Sequence, residues 1–146
     1  MLARVRKGTA KRDDGFTLIE LLVVVIIIGI LAAIAIPVCL NQRNKGYDAA
    51  ARADAKAMAT QQEAWLTANE TYADTVGAGT LTEFRPTTGV LSSAKAKSAE
   101  GYCIVSLSKS GRYFWFDSRA GGLFGPSATA PTGGVCDTDK PDLPGL

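Results

Sequence analysis

Histidine is absent from this chain of 146 residues. A Ser-His-Asp triad, a Cys-His pair and a histidine-ligated metal site are therefore excluded. The sequence also lacks a glycine-rich phosphate-binding loop, and its Ser, Lys and Asp residues show no catalytic spacing. We predict that the protein is not an enzyme and that it uses no cofactor.

An excess of one charge is missing as well, because 16 Lys and Arg residues face 14 Asp and Glu residues. Residues 1–15 carry five basic and two acidic side chains, a net charge of +3, which leaves 11 basic and 12 acidic side chains in the remainder. That remainder has no basic tail or cluster in its sequence, so nucleic acid is not a predicted partner.

The chain does contain one long apolar run, residues 21–36, which residues 37–40 extend to twenty positions. Twenty helical residues span about 30 Å, the thickness of the hydrocarbon core of a bilayer. The basic flank ahead of the run predicts a cytoplasmic N-terminus and a single membrane span.

Glu20 stands where the run begins. An ionisable group at that depth is a functional candidate, and an ordinary acid at a helix start is the alternative.

The order of residues around Glu20 is more specific than its charge. A basic leader, residues 15–20 (Gly-Phe-Thr-Leu-Ile-Glu) and a run of branched aliphatic residues together resemble the type IV prepilin signature. In that family the prepilin peptidase, a membrane enzyme, cuts after the glycine and methylates the new N-terminus. The resemblance is detailed over residues 8–45, and it implies cleavage after Gly15 and N-methylation of Phe16. A weaker alternative is an ordinary secretory signal, cut at an A-x-A-like site among Ala32, Ala33 and Ala35.

The resemblance divides the chain into four predicted segments. These are a cleaved leader, a transmembrane and filament-core helix, the amphipathic half of the same helix, and a globular head, at residues 1–15, 16–40, 41–71 and 72–146. Phe16 and Glu20 are four residues apart, so we expect the new α-amine and the carboxylate on one helix face. Glu20 is therefore a predicted assembly residue.

Two residues weaken the predicted membrane helix, since Gly29 and Pro37 cost about 1 and 3 kcal/mol relative to Ala in a helix interior. A small residue such as Gly29 also permits close helix packing. The resemblance implies that the segment between them loosens when subunits pack in a filament, which makes both predicted assembly residues; a mild kink is the alternative. Cys39 is interpreted as a small hydrophobe or as an intersubunit contact.

We predict an α+β fold, with the long N-terminal helix packed on a small C-terminal antiparallel sheet. Residues 41–69 favour a helix whose apolar face has Asp54 at its edge and is formed by Tyr47, Ala51, Ala55, Met58, Gln62, Trp65 and Leu66. The opposite face carries Arg52, Lys56, Glu63 and Glu70. Residues 72–100 are interpreted as a long loop, with room for one short strand or helix.

The sheet is predicted from two segments rich in β-branched and aromatic residues, 102–107 and 112–117, which a turn joins into a hairpin. A third short strand is expected near Leu123 and Phe124. The alternation within residues 102–107 does not decide which set of side chains faces the core.

Two further features of the C-terminal part resemble the same family. A cysteine early in the sheet and another near the chain end resemble the disulfide-bounded loop of pilins, which implies a Cys103–Cys136 disulfide outside the cytoplasm. The acids near the chain end resemble the calcium-binding region of major pseudopilins, although the glycine turn and bidentate Glu of an EF-hand are missing. A solvated tail is the main interpretation, and a calcium site is the weaker one, at Asp137, Asp139 and Asp142.

The function that the resemblance implies is structural: the major subunit of a type IV pilus-like filament. Its partners would be the prepilin peptidase, copies of itself, an inner-membrane assembly platform and, before assembly, membrane lipid. The chain would cross the cytoplasmic membrane with its head outside and would later lie in a cell-surface pilus. A pseudopilin of a type II secretion or DNA-uptake system and a single-pass anchored binding domain are the alternatives. Glu20 argues against a tip pseudopilin, because tip subunits lack that acid.

Overall fold

The computed structural model describes residues 15–75, 81, 84–97, 99–138, 141 and 143. The chain divides into two compact units, Met1–Cys39 and Leu40–Leu146. Helix α1 covers Leu18–Asn69, and the remaining elements are β1 (Val90–Ala96), β2 (Tyr102–Ser108), β3 (Tyr113–Asp117), β4 (Gly122–Ser127) and the short helix α2 (Val135–Thr138). The predicted α+β fold is confirmed.

Helix α1 ends at Asn69 because the next residue, Glu70, adopts a left-handed conformation with φ 56°. The Glu70 N–H donates to the carbonyl of Leu66 at 2.8 Å, which closes the last turn. Gln62 then holds the departing chain, since its buried side-chain amide donates to the Ala73 carbonyl and accepts the Ala73 N–H, each at 2.8 Å. The helix therefore ends at the last residue of the segment 41–69 that the sequence favours as a helix.

In the second unit, one face of α1 is buried against the sheet and the loop before it. Ala51, Ala55, Met58 and Gln62 are buried on this face, as the apolar pattern predicts, while Trp65 and Leu66 are half-buried. Asp54 is also buried, at 6% exposure. Its carboxylate accepts the N–H of Thr87 at 2.7 Å and the hydroxyl of Thr87 at 2.8 Å, which offsets the cost of burying the charge.

The sheet is an antiparallel meander in the order β1-β2-β3-β4. The predicted hairpin is β2 and β3, and β4 contains the predicted strand near Leu123. Residues 72–100, predicted as a long loop with room for one short strand or helix, contain β1. This edge strand pairs along the whole of β2.

Strand β2 is covered on both faces, which is why alternation along it could not reveal the core side. Tyr102 and Ile104 pack with Met58 and Ala59 of α1. Cys103 and Val105 face the other way, in a cluster of buried residues completed by Val135 and Cys136. The segment after β4 thus supplies a second layer over the sheet.

Candidate assembly and processing site

Helix α1 begins with a reciprocal cap between Thr17 and Glu20. One carboxylate oxygen of Glu20, Oε2, accepts the backbone N–H and the hydroxyl of Thr17, each at 2.8 Å. The Glu20 N–H donates in return to Thr17 Oγ1 at 3.3 Å. This is a capping box, which satisfies N–H groups that a helix start otherwise leaves unpaired. The sequence interpretation missed it, although a Thr followed three residues later by Glu, just before an apolar run, is its signal.

The predicted processing junction lies just ahead of that cap. Gly15, Phe16 and Thr17 precede the helix, and the Phe16 side chain is 91% exposed. In the uncut chain only Glu20 belongs to the helix, so the expected placement of the freed α-amine and the carboxylate on one helical face stays a prediction for the processed chain.

Phe16 and Glu20 are nevertheless neighbours. Together with Ile19, Val23 and Val24 they line an open, mostly apolar groove of about 460 Å³. An α-amine freed by a cut after Gly15 would belong to Phe16, one residue before the N–H that Glu20 already accepts. The carboxylate is thus placed beside the position that such an amine would take.

The first part of α1 presents an apolar surface that no other described residue of the chain covers. The large apolar side chains from Phe16 to Leu40 are each at least 45% exposed. By length and composition α1 can cross a membrane, and its most apolar stretch has no buried part. In water such a surface is unfavourable at roughly 25 cal/mol per Å², so it requires lipid or other protein chains around it.

The predicted assembly residues Gly29 and Pro37 both lie inside α1, which continues through them. Pro37 has no N–H, so the carbonyl of Ala33 lacks its usual helical donor. A Cβ added to Gly29 would meet nothing within 4 Å, so no contact within the described residues requires glycine there. Cys39 is exposed and unbonded.

The disulfide implied by the resemblance is present between Cys103 of β2 and Cys136 of α2, 33 residues apart. Both cysteines are fully buried. The calcium candidates Asp139 and Asp142 lie outside the described residues, as does the side chain of Asp137. Within the described part of the chain, no group of three His, Cys, Asp or Glu residues is arranged to hold a metal ion.

Tyrosine side chains and Glu63 form a polar edge of the helix–sheet core. The Tyr102 hydroxyl donates to the Glu63 carboxylate at 3.0 Å. The Tyr72 and Tyr102 rings pack edge-on, with 4.7 Å between their centroids. Burial, followed by the hydrogen bond to Glu63, raises the pKa of Tyr102. The helical pattern predicts Glu63 on the solvent face. The residue is indeed exposed, but its partnership with Tyr102 was missed because 39 residues separate them.

The first part of α1 is apolar, and its second part packs on a four-stranded antiparallel sheet. This arrangement is a pilin-like α+β architecture. The profile of a family described as "Prokaryotic N-terminal methylation motif" matches residues 10–36. The chain is 36% identical over 107 residues to the type IV wide pilus major component PilA4 of Thermus thermophilus, a match that covers 73% of this chain and 81% of that relative.

Two shorter matches cover less than half of each relative. The chain is 44% identical over 63 residues to the type IV major pilin protein PilA of Myxococcus xanthus, covering 43% of this chain and 29% of that protein. It is 37% identical over 65 residues to the type II secretion system core protein G of Pseudomonas aeruginosa, covering 44% of this chain and 46% of that protein. The chain belongs to the family of type IV pilins and related type II secretion pseudopilins, which are structural proteins and not enzymes.

Proposed function

We propose that this protein is the major subunit of a type IV pilus-type filament. The observation that carries the proposal is the apolar surface from Phe16 through the first part of α1 to Leu40, which no other described residue covers. Many such helices packed side by side would remove this surface from water and form the core of a fibre. Before assembly the same surface would be covered by lipid in the cytoplasmic membrane, with the head outside.

Processing precedes assembly in this proposal. The prepilin peptidase removes residues 1–15 and methylates Phe16, whose exposed position ahead of the helix cap leaves the Gly15–Phe16 bond accessible. An inner-membrane assembly platform then adds the subunit to the fibre. Gly29 would allow close approach of a neighbouring helix, since its Cα faces open space in the single chain.

Glu20 would set the register of each added subunit. Its carboxylate accepts hydrogen bonds from Thr17 and still has lone pairs that can accept a hydrogen bond from a further donor. In an apolar fibre core an unpaired carboxylate is expensive, and removing one partner of a buried pair costs about 3–5 kcal/mol. A pair between Glu20 of an incoming subunit and the α-amine on Phe16 of its neighbour would therefore favour one axial position.

The capping box permits a test that separates the charge of Glu20 from its capping role. Glu20→Gln keeps a side-chain acceptor at the third helical position but removes the charge. Thr17→Ala removes the cap partner but keeps the charge. We expect both variants to be cut after Gly15, as shown by the intact mass of the membrane-bound subunit. Only Glu20→Gln should lose most surface fibres in electron microscopy, while Thr17→Ala should retain them. Normal fibres from processed Glu20→Gln would show that the charge is dispensable.

The pseudopilin alternative is supported by the similarity to the type II secretion system core protein G. The disulfide-closed C-terminal loop favours the pilus, because its layout resembles that of pilins. Fibres sheared from cells distinguish the two: a major pilin should dominate the sheared fraction, whereas a pseudopilin should remain with the membranes. An anchored binding domain would show no cut after Gly15, and an ordinary secretory signal would give an N-terminus beyond Ala32.

A further inference from the structure

Two grooves lined by cations open in the second unit, directly after the apolar run. One has a volume of about 270 Å³ and is lined by Lys45, Arg52, Arg112 and Asp48 over the apolar atoms of Ala49, Phe114 and Pro126. The other, of about 290 Å³, shares Lys45, Asp48 and Arg112 and reaches Asn41, the first polar residue after the run. We call the two together the cationic groove.

Positive charge exceeds negative charge in the cationic groove. Among the described residues Asp48 is the one acid that lines it, and Asp48 already accepts the hydroxyl of Ser110 and pairs with Arg112 at 3.6 Å. Lys45 forms no ion pair among the described residues. The Arg52 guanidinium lies 5.3 Å from the centre of the Phe114 ring, a contact that orients the cation without neutralising it. With three cations and one acid that is already paired, the groove has a net positive charge that can attract an anionic ligand.

Further cations lie on the other side of α1 at the same level. Tyr47 is about 200° around the helix from Lys45, and its hydroxyl accepts a hydrogen bond from Arg43 at 3.5 Å. The Lys109 ammonium lies 5.6 Å from the centre of the Tyr47 ring. The hydrogen bond from Arg43 and the charge of Lys109 lower the pKa of Tyr47. Positive charge therefore surrounds the helix where the polar sequence begins.

The position of this charge along the helix matches the headgroup layer of a bilayer. Lys45 follows Leu40, the last residue of the apolar run, by five residues, or about 7.5 Å of helix axis. Each headgroup layer is about 5–8 Å thick. Helical side chains lean towards the N-terminus, so the Lys45 side chain reaches back towards Leu40.

We propose that the cationic groove binds the phosphate headgroups of anionic phospholipids while the chain is embedded in the membrane. The proposal rests on the membrane-embedded state in the proposed function. Lys45, Arg52 and Arg112 would bind the phosphate through charge-assisted hydrogen bonds. The apolar floor around Phe114 and Pro126 would contact the glycerol carbon atoms, which a free inorganic phosphate lacks. Each cation near an anionic surface contributes about fivefold to affinity.

A lipid titration of the full chain in micelles of a neutral detergent tests this binding. Separate arms add dihexanoyl phosphatidylglycerol, dihexanoyl phosphatidylcholine and inorganic phosphate, and backbone amide NMR shifts report the contact. We expect saturable shifts around Lys45, Arg52 and Arg112 with phosphatidylglycerol, and binding of the other two at least about tenfold weaker. Equal affinity for inorganic phosphate would overturn the assignment to lipid. Shifts that depend on protein concentration would overturn it too, because they would indicate a second copy of the chain.

Two triple variants with equal charge changes complete the test. K45Q/R52Q/R112Q should weaken phosphatidylglycerol binding about 100-fold, whereas K56Q/K95Q/K97Q removes the same charge outside the groove and should leave binding nearly unchanged. Lys45→Gln alone should weaken phosphatidylglycerol binding about fivefold. Because Lys45 forms no ion pair in the described residues, this variant does not disturb the Arg112–Asp48 pair. Equal losses from both triples would refute a defined groove. Since no fibre is scored, failure here is distinguishable from failure of the filament proposal.

Discussion

Asp117 ties together two parts of the head through a single buried carboxylate. The side chain is 1% exposed. Its Oδ1 accepts the N–H groups of Arg119 and Ala120, each at 2.9 Å, and its Oδ2 accepts the N–H of Cys136 at 3.3 Å. Gly134 leaves space for it, because a Cβ there would overlap the carboxylate. The turn after β3 is thereby joined to the disulfide-closed segment.

Replacing Asp117 should therefore destabilise the head. Asp117→Ala leaves three N–H groups without their acceptor, and we expect the free energy of unfolding to fall by about 2–4 kcal/mol. Chemical denaturation of the detergent-solubilised chain with the disulfide intact measures this. Asp74→Ala is the matched control, since Asp74 is exposed and, among the described residues, accepts the single N–H of Ala96 at 3.2 Å. A loss at Asp117 no larger than at Asp74 would contradict the assigned role.

Residue roles were predictable where their partners are close in sequence. The pair Thr17 and Glu20 is three residues apart, so its capping pattern could be found without a structure. The partners of Asp54 and Gln62 are 33 and 11 residues away. The helical pattern predicts Gln62 on the buried face and Asp54 at its edge, but nothing in the local sequence indicates the distant backbone groups that pair with these polar side chains.

At the scale of elements, the disulfide links β2 to α2 across the face of the sheet that α1 does not cover. Cys103 and Cys136 pack there with Val105 and Val135. A bridge over 33 residues restricts the unfolded chain considerably. The second layer of the head therefore depends on this bond as well as on its small apolar cluster.

Cys103→Ser should lower the free energy of unfolding by about 3–4 kcal/mol, the loop-closure contribution of such a bridge. Cleavage after Gly15 should be unaffected, because the junction and the bridge belong to different units. Unfolding curves and intact mass measure the two effects. Cys39→Ser is the control, since Cys39 is exposed and unbonded. Equal stability of the two variants would refute a structural role for the bridge.

Strand β1 shows why some elements escape sequence patterns. Its residues include Ser92, Ser93 and Lys95, which have low or middling preference for strands. The strand forms because β2 offers an edge: every residue of β1 pairs with one of β2, and the Ser92 and Ser106 hydroxyls hydrogen-bond at 2.8 Å. Pairing with a well-buried neighbour outweighs weak intrinsic preference.

For the molecule as a whole, removal of the leader is the step on which assembly should depend. Gly15→Val places a branched side chain at the predicted cut, and we expect the uncut precursor to accumulate in the membrane without fibres. Intact mass and electron microscopy check this. Gly8→Val makes the same change within the leader and should still be processed. Fibres built from uncut Gly15→Val subunits would show that cleavage is not required.

Several features of this protein depend only on residues that are neighbours in the chain. The apolar run, its length, the basic leader and the cap at Thr17 and Glu20 all follow from neighbouring residues, because a helix satisfies its backbone hydrogen bonds locally. The amphipathic half of α1 and the β2–β3 hairpin were predictable for the same reason. These features were sufficient to indicate the family and the α+β fold.

Which distant residues meet depends instead on how the folded chain packs. Strand β2 is covered on both faces because α1 and the segment after β4 approach it from opposite sides, which no periodicity within β2 encodes. The sequence shows no basic cluster, yet folding brings Arg112 of the hairpin beside Lys45 and Arg52 of α1. Charges and polar atoms separated by tens of residues become neighbours only when the chain packs, since packing sets their distances and sequence order does not.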